Sequence, residues 1–313
     1  MKHTQTTTCK AAIYLALCIS AGAVALAMLQ VNSVAAQSKP APVSVLCDYA
    51  VNIFNATPSV NATSSAKWSC TDTLRLLVAN GLPDHEVGTF PNRNNPPAIA
   101  AQNVRASMPL NPVLTAVATT RGGPRADAGF LLNGVKIDPS TAGTCDANGT
   151  SCAMARGTGP WSLEAMGQKT FNFGTDNNNA HVQPSGAYHY HGIPEGYLAK
   201  MGKGEKMSLI GWAADGFPIY ARYGYSVAND SNSSIKVIKG SYQFKTVPSP
   251  NRPSASAYPL GTFTQDYEYV AGSGDLDECN GRTGVTPEFP AGTYHYFATD
   301  SYPYLQRCVK GKL

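Results

Sequence analysis

Apolar and polar positions alternate with a period of two over several short stretches of the chain, and that period predicts strands rather than helices. Phe130-Leu-Leu-Asn133-Gly134-Val-Lys-Ile137 sets two apolar runs around Asn-Gly, the strongest short-range hairpin signal. Residues 207–213, 235–238 and 262–270 also read as strands, from their β-branched and aromatic content. Helical signals are few: residues 161–166 and 195–200 each supply at most a turn or two. Residues 37–71 are rich in Ser, Thr, Ala and Asn with little periodicity, so they read as an irregular N-terminal arm. Asn229-Asp-Ser-Asn-Ser-Ser234 and Pro248-Ser-Pro-Asn-Arg-Pro253 are surface loops by their turn chemistry. The expected fold is mainly β: one sandwich- or barrel-like domain over residues 72–313, with long loops and a few short helices.

The first 36 residues stand apart from that fold. Lys2 and Lys10 lead into an apolar stretch from Ala11 to Met28 with no acidic residue, and the segment ends in Ser33-Val-Ala-Ala36. This is the layout of a secretory signal peptide cleaved after Ala36. An uncleaved anchor is the rival reading, because spanning a bilayer takes roughly 20 apolar residues; the small residues crowding the run and its end favour cleavage. Cys18 follows Leu15-Ala16-Leu17 and lacks the small residue that a lipoprotein signal needs before its cysteine. Cleavage leaves no stable membrane span and places the protein in the periplasm or outside the cell.

Export changes how cysteine is read. Six of the eight cysteines lie in the mature chain: Cys47, Cys70, Cys145, Cys152, Cys279 and Cys308. An even number in an oxidising compartment predicts disulfides rather than thiolate metal sites. Chain order suggests Cys47 with Cys70, Cys145 with Cys152 and Cys279 with Cys308, although about fifteen pairings are open. Without the leader the chain keeps 22 basic and 20 acidic residues, and no basic stripe interleaved with aromatics, which argues against nucleic acid as a partner. Charged residues make up only 14 % of the chain, below the roughly 25 % usual for soluble domains, as suits a loop-rich exported β protein.

The candidate chemistry lies in the five histidines that survive export. Pro184-Ser-Gly-Ala-Tyr188-His189-Tyr190-His191 and Pro290-Ala-Gly-Thr-Tyr294-His295-Tyr296-Phe297 share a Pro-x-Gly lead-in and a Tyr-His-Tyr core. On a strand, His189 and His191 share one face while Tyr188 and Tyr190 share the other. A neighbouring second copy would bring His295 to the same point, and three convergent imidazoles are a common way to hold zinc or copper. His181 or His85 would complete four-coordination. Tyr188, Tyr190, Tyr294 and Tyr296 are candidates to surround the ligands, and Asp215, Asp277 and Glu278 are candidate acceptors for the rings' other N–H groups. The competing account is an aromatic core in which each histidine is satisfied by a backbone carbonyl.

Asn80-Gly-Leu-Pro-Asp-His85, Leu132-Asn-Gly-Val135, Asn178-Asn-Ala-His181-Val-Gln-Pro184, Tyr188-His-Tyr-His191, Ala214-Asp215-Gly-Phe-Pro-Ile-Tyr220, Leu276-Asp277-Glu-Cys-Asn280-Gly281 and Tyr294-His-Tyr296 together resemble the YHYH family of exported proteins. The resemblance covers residues 72–312 and implies a single module containing these motifs, with no established activity attached. Phe297 stands where the first copy has His191, so the second copy offers one imidazole.

Three classes of function stay open. The first is metal binding. In the second, the metal makes the protein a hydrolase or oxidoreductase with Asp215 or Glu278 as general base, though Asp215-Gly216 reads more simply as a tight turn. The third is a carbohydrate-binding or cell-surface scaffold, since sixteen tyrosines with many Asn and Asp suit sugar stacking and hydroxyl recognition. Tyrosines exposed in a groove would favour the third class, and tyrosines buried behind the histidines the first.

Overall fold

The computed structural model describes residues 47–122 and 127–313. The expected signal peptide and the start of the N-terminal arm lie outside the described residues. Strands β1 (Tyr49–Asn55), β2 (Ala62–Cys70), β3 (Leu74–Ala79) and β4 (Val104–Pro109) form an antiparallel sheet in sequential order. Residues 49–70 are therefore two paired strands and not an irregular arm. Their period of two is real but is written partly in small residues: Ser64, Ala66 and Trp68 alternate inward along β2. Strand β5 (Leu114–Thr120) follows, and later pairs with the last strand of the chain.

The predicted hairpin comes next as β6 (Gly129–Leu131) and β7 (Lys136–Ile137) around Asn133-Gly134. Short strands β8 (Thr144–Cys145), β9 (Cys152–Ala153) and β10 (Trp161–Ser162) make a small sheet. Residues 161–163 thus run extended where a helical turn is expected, because Trp161 pairs with Cys145 and Leu163 bridges to Phe263, and no helix forms over 164–166. β11 (Ala180–Val182) and β12 (Tyr188–Tyr190) carry the first histidine motif, and helix α1 (Glu195–Met201) ends on Gly202 in the left-handed conformation. A second hairpin follows, β13 (Ser208–Ala213) and β14 (Pro218–Ala221), then two small ribbons, β15 (Tyr223–Tyr225) with β16 (Ile235–Val237) and β17 (Tyr242–Phe244) with β18 (Tyr267–Tyr269). Only the end of 262–270 is strand: the buried Asp266 carboxylate accepts the Gly261 and Phe263 N–H groups and pairs with Arg252, closing a 3-10 turn before β18. β19 (Gly281–Gly284), β20 (Thr293–Ala298) and β21 (Cys308–Gly311) complete the chain. Disulfides join Cys47 to Cys70, Cys145 to Cys152 and Cys279 to Cys308, the pairing that chain order suggests.

Eight strands form one mixed sheet in the order β11-β12-β7-β6-β13-β14-β20-β19. It is open, with β11 and β19 at its edges, so the barrel alternative does not hold. The sheet is two copies of one unit. In each, a hairpin (β6–β7 or β13–β14) pairs through its second strand in parallel with a Tyr-His-Tyr strand (β12 or β20). An antiparallel edge strand (β11 or β19) lies outside. The two units meet at the antiparallel pair β6–β13, where Phe130 faces Trp212, so a local two-fold axis relates them.

The four-stranded sheet packs against the first hairpin. Trp68 Nε1 donates to the Leu132 carbonyl at 2.8 Å, and the Arg75 guanidinium lies 3.3 Å from the Trp212 ring centroid. At Gly134, with φ +80°, an added Cβ would sit 2.4 Å from Ala79 Cβ and 3.1 Å from Ala66 Cβ. Gly134→Ala is therefore expected to destabilise the protein by on the order of 3 kcal/mol, combining left-handed strain with overpacking. Gly272→Ala, at φ +79° with nothing within 4 Å, should cost only about 1 kcal/mol. Urea unfolding midpoints of the two variants check the difference; equal values would refute the packing argument.

Candidate metal centre

Strand pairing decides which histidines meet. On the β11–β12 ladder His181 lies directly opposite His189, and His191 follows two residues later on the same face. His191 Nε2 comes to 3.1 Å from His181 Nε2 and 3.0 Å from His189 Nε2. These three form the one group among the described residues that could hold a metal ion. The local turn is fixed by Asp176: its carboxylate accepts the N–H groups of Asn178 and Ala180 and the Tyr188 hydroxyl, at 2.9, 3.3 and 2.7 Å. The edge strand is clamped from outside, because the Asn95 amide donates to the Val182 carbonyl and accepts its N–H.

The rings are oriented by backbone. His181 Nδ1 donates to the Phe173 carbonyl at 2.8 Å and His189 Nδ1 to the Ala187 carbonyl at 3.2 Å. Each of those rings then presents a lone pair at Nε2. Nitrogens bound to one ion at about 2.05 Å with tetrahedral angles lie roughly 3.3 Å apart; the two distances from His191 are close to that, and all three ligand atoms lie within 4.8 Å of one another. Burial, and then the neighbouring imidazoles, hold His189 and His191 well below the usual histidine range, and burial also lowers His181, with Asp176 opposing it. All three are neutral at pH 7, the form a metal needs.

The triad opens on a cleft of about 640 Å³, lined also by Pro96, Phe173, Met154, Gln183, Arg156 and Asp138. Asp138 is the carboxylate that sequence reasoning passed over. Its backbone N–H donates to the Tyr190 carbonyl, which places it beside His191 on the histidine face. Its side chain is buried, accepts from Gln183 Nε2 at 3.0 Å and lies 3.2 Å from Lys136 Nζ. The signal available was weak: one acid at the end of a predicted hairpin strand.

His295 does not join the triad. Four strands separate β20 from β12 in the sheet, and five strand steps of about 4.8 Å put the copies roughly 24 Å apart. His295 Nδ1 donates to the Thr293 carbonyl at 3.0 Å, while its buried Nε2 has no hydrogen-bond partner. His85 lies on the opposite face of β12, 2.5 Å from the Tyr190 hydroxyl. Tyr188 and Tyr190 share that opposite face, so they do not surround the triad. Tyr294 donates to Asp277 and Tyr296 to Asp215, at 2.8 and 2.6 Å. The acceptors expected for the ligand rings do other work. Asp277 closes the turn before β19, Glu278 pairs with Lys310 at 2.9 Å, and buried Asp215 accepts the Phe217 and Gly311 N–H groups. No carboxylate replaces them at the Nδ1 atoms of His181 and His189, where carbonyls serve.

Residues 105–311 match a protein-family model described as YHYH protein. No curated protein and no solved structure matches the chain.

The burial of His295 has a measurable consequence. Its pKa is pushed down to about 4 by burial, with the Arg282 charge adding to the effect. The unfolded chain takes up a proton below about pH 6.5 and the folded chain only near pH 4, so this contribution is complete above pH 6.5 and is lost as pH falls to 4. The loss is on the order of 3 kcal/mol. Metal-free His295→Gln protein should therefore lose less stability than wild type between pH 7 and 4.5 in urea titrations. An equal loss would contradict this assignment.

Proposed function

The chain belongs to the YHYH protein family, and we propose that it is an exported protein holding a transition metal on His181, His189 and His191. The observation that carries this reading is the meeting of three Nε2 atoms around His191, two of them 3.0 and 3.1 Å from it. Nδ1 donation to carbonyls by His181 and His189 leaves two lone pairs aimed at His191 Nε2, and a cation held by all three nitrogens accounts for their convergence. Imidazole donors without thiolates suit zinc or copper(II); the six mature cysteines are all in disulfides. Export is supported by those disulfides and by the leader pattern. No helix among the described residues is long and apolar enough to cross a membrane. Tyr188, Tyr190, Tyr294 and Tyr296 are all buried, which removes the support for a sugar-stacking groove built from them.

A second reading, that the metal serves hydrolysis or oxidation, is favoured by the cleft. Its volume lies within the roughly 300–1,000 Å³ of small-molecule sites. A bound zinc or copper ion would supply Lewis acidity there. Asp138, on the same face and held by Lys136 and Gln183, is the carboxylate placed to take a proton, in preference to Asp215 or Glu278.

Protein purified from its native compartment is expected to carry one equivalent of zinc or copper by mass spectrometry. His189→Ala and His191→Ala should each lower affinity by more than the roughly 10- to 100-fold typical for losing a group that only orients a ligand. His85→Ala and His295→Ala should keep the ion. Full retention in His189→Ala and His191→Ala would sink the assignment.

A further inference from the structure

The two units of the large sheet correspond atom group by atom group. Asp277 repeats Asp176: it accepts the N–H groups of Cys279 and Gly281, each at 3.0 Å, and the Tyr294 hydroxyl at 2.8 Å. Asn179 and Asn280 both turn the chain with positive φ, 56° and 62°. The Asn179 carbonyl accepts the His191 N–H at 2.8 Å and the Asn280 carbonyl accepts the Phe297 N–H at 2.9 Å. The registers agree as well: Ala180, His181 and Val182 face Tyr190, His189 and Tyr188, just as Gly281, Arg282 and Thr283 face Tyr296, His295 and Tyr294. The three positions of the first triad, 181, 189 and 191, are therefore occupied in the second unit by Arg282, His295 and Phe297.

Of the side chains there, His295 keeps the geometry of its counterpart in the first triad. His295 is fully buried, its Nδ1 is held by the Thr293 carbonyl as His189 Nδ1 is held by Ala187, and its Nε2 has no hydrogen-bond partner. The Arg282 guanidinium sits 5.3 Å from the Phe297 ring centroid and donates to the Tyr225 carbonyl at 2.8 Å, while its Nε is unpartnered. Asp138 of the first unit is replaced by Tyr220, whose ring lies 5.4 Å from that of His295.

We propose that the second unit is a dormant metal centre of the same design as the first, in which Arg282 supplies the positive charge that an ion would bring, and that Arg282→His with Phe297→His reopens it to zinc or cobalt(II). The backbone cradle, the carbonyl that sets the ring tautomer and one ligand are already in place; what the second unit lacks is two imidazoles. Because the site is covered by the β15–β16 ribbon, where a Cβ on Gly224 would lie 2.8 Å from Phe297 Cζ and 3.1 Å from Arg282 Nη2, its ion should exchange more slowly than that of the first triad.

The inference rests on reading the first triad as an ion site, and the test separates the two. The full chain is stripped of metal, loaded with cobalt(II), desalted and assayed for metal per protein, with near-ultraviolet circular dichroism as the check on folding. Wild type is expected to hold one ion and Arg282→His/Phe297→His two. The same double variant with His189→Ala and His191→Ala should hold one. Failure of wild type to bind would reject the first reading alone, since the four-substitution protein still reports on the second unit. A folded four-substitution protein that binds nothing overturns the dormant centre. Should the double variant not fold, Arg282→His alone keeps Phe297 in place and pairs two imidazoles across β19–β20; it is expected to take up an extra equivalent at excess cobalt(II), and uptake equal to wild type would overturn the proposal.

Discussion

The site depends on a constraint of hydrogen-bond direction. A neutral imidazole whose Nδ1–H is spent on a carbonyl offers only a lone pair at Nε2. The Phe173 and Ala187 carbonyls spend two rings in this way, and their Nε2 atoms meet about the Nε2 of His191 at 3.1 and 3.0 Å. His189 and His191 are buried and His181 is half-buried at the foot of the cleft, so few waters can serve these lone pairs, and an acceptor left without a donor costs about 1–3 kcal/mol. The surroundings therefore hold three ring nitrogens in convergence. The Asp176 turn, the Asn95 clamp on β11 and the pairing of β12 with β7 keep the rings from rotating apart.

Duplication within the sheet gives an internal control for what is architectural. Asp176 and Asp277, Tyr188 and Tyr294, Asn179 and Asn280 make the same contacts in both units, so those contacts build the strand pair and its turn. On the histidine face the two units part: His181 stands against Arg282, His191 against Phe297 and Asp138 against Tyr220. Tyrosine, the residue that gives both motifs their conspicuous pattern, belongs to the architecture. Histidine, where it differs between copies, lies on the face where the two units part.

The sequence carried much of this at the level of single elements. Asn133-Gly134 forms the hairpin its φ preference demands, with Gly134 at +80°, and the disulfides join cysteines that are neighbours in chain order. The face assignment of His189 and His191 follows from period two alone. What failed was the step from repetition to proximity. A repeated motif specifies a repeated local structure, but whether the copies meet depends on strand order, and here four strands intervene between β12 and β20. His181 was the ligand harder to rank, because its place opposite His189 comes from the β11–β12 register, set by the Asp176 turn rather than by any spacing within the motif. The N-terminal strands were illegible for a different reason: inward positions Ser64 and Ala66 are filled by small residues, Ala66 where Gly134 of the hairpin approaches closely and Ser64 where its hydroxyl donates to the Leu82 carbonyl.

Access separates the two units. Over the first unit the covering segments stand off, leaving the cleft bordered by Pro96, Met154 and Phe173. Over the second, β15 lies directly on the histidine face, so close that Gly224 leaves no room for a Cβ against Phe297. There the Arg282 guanidinium lies against the Phe297 ring and is anchored to the Tyr225 carbonyl, a fixed positive charge beside the neutral His295 ring. Covering one face and opening the other thus converts a symmetric pair of strand units into one half that stabilises the sheet and one half that meets the solvent with three converging nitrogens.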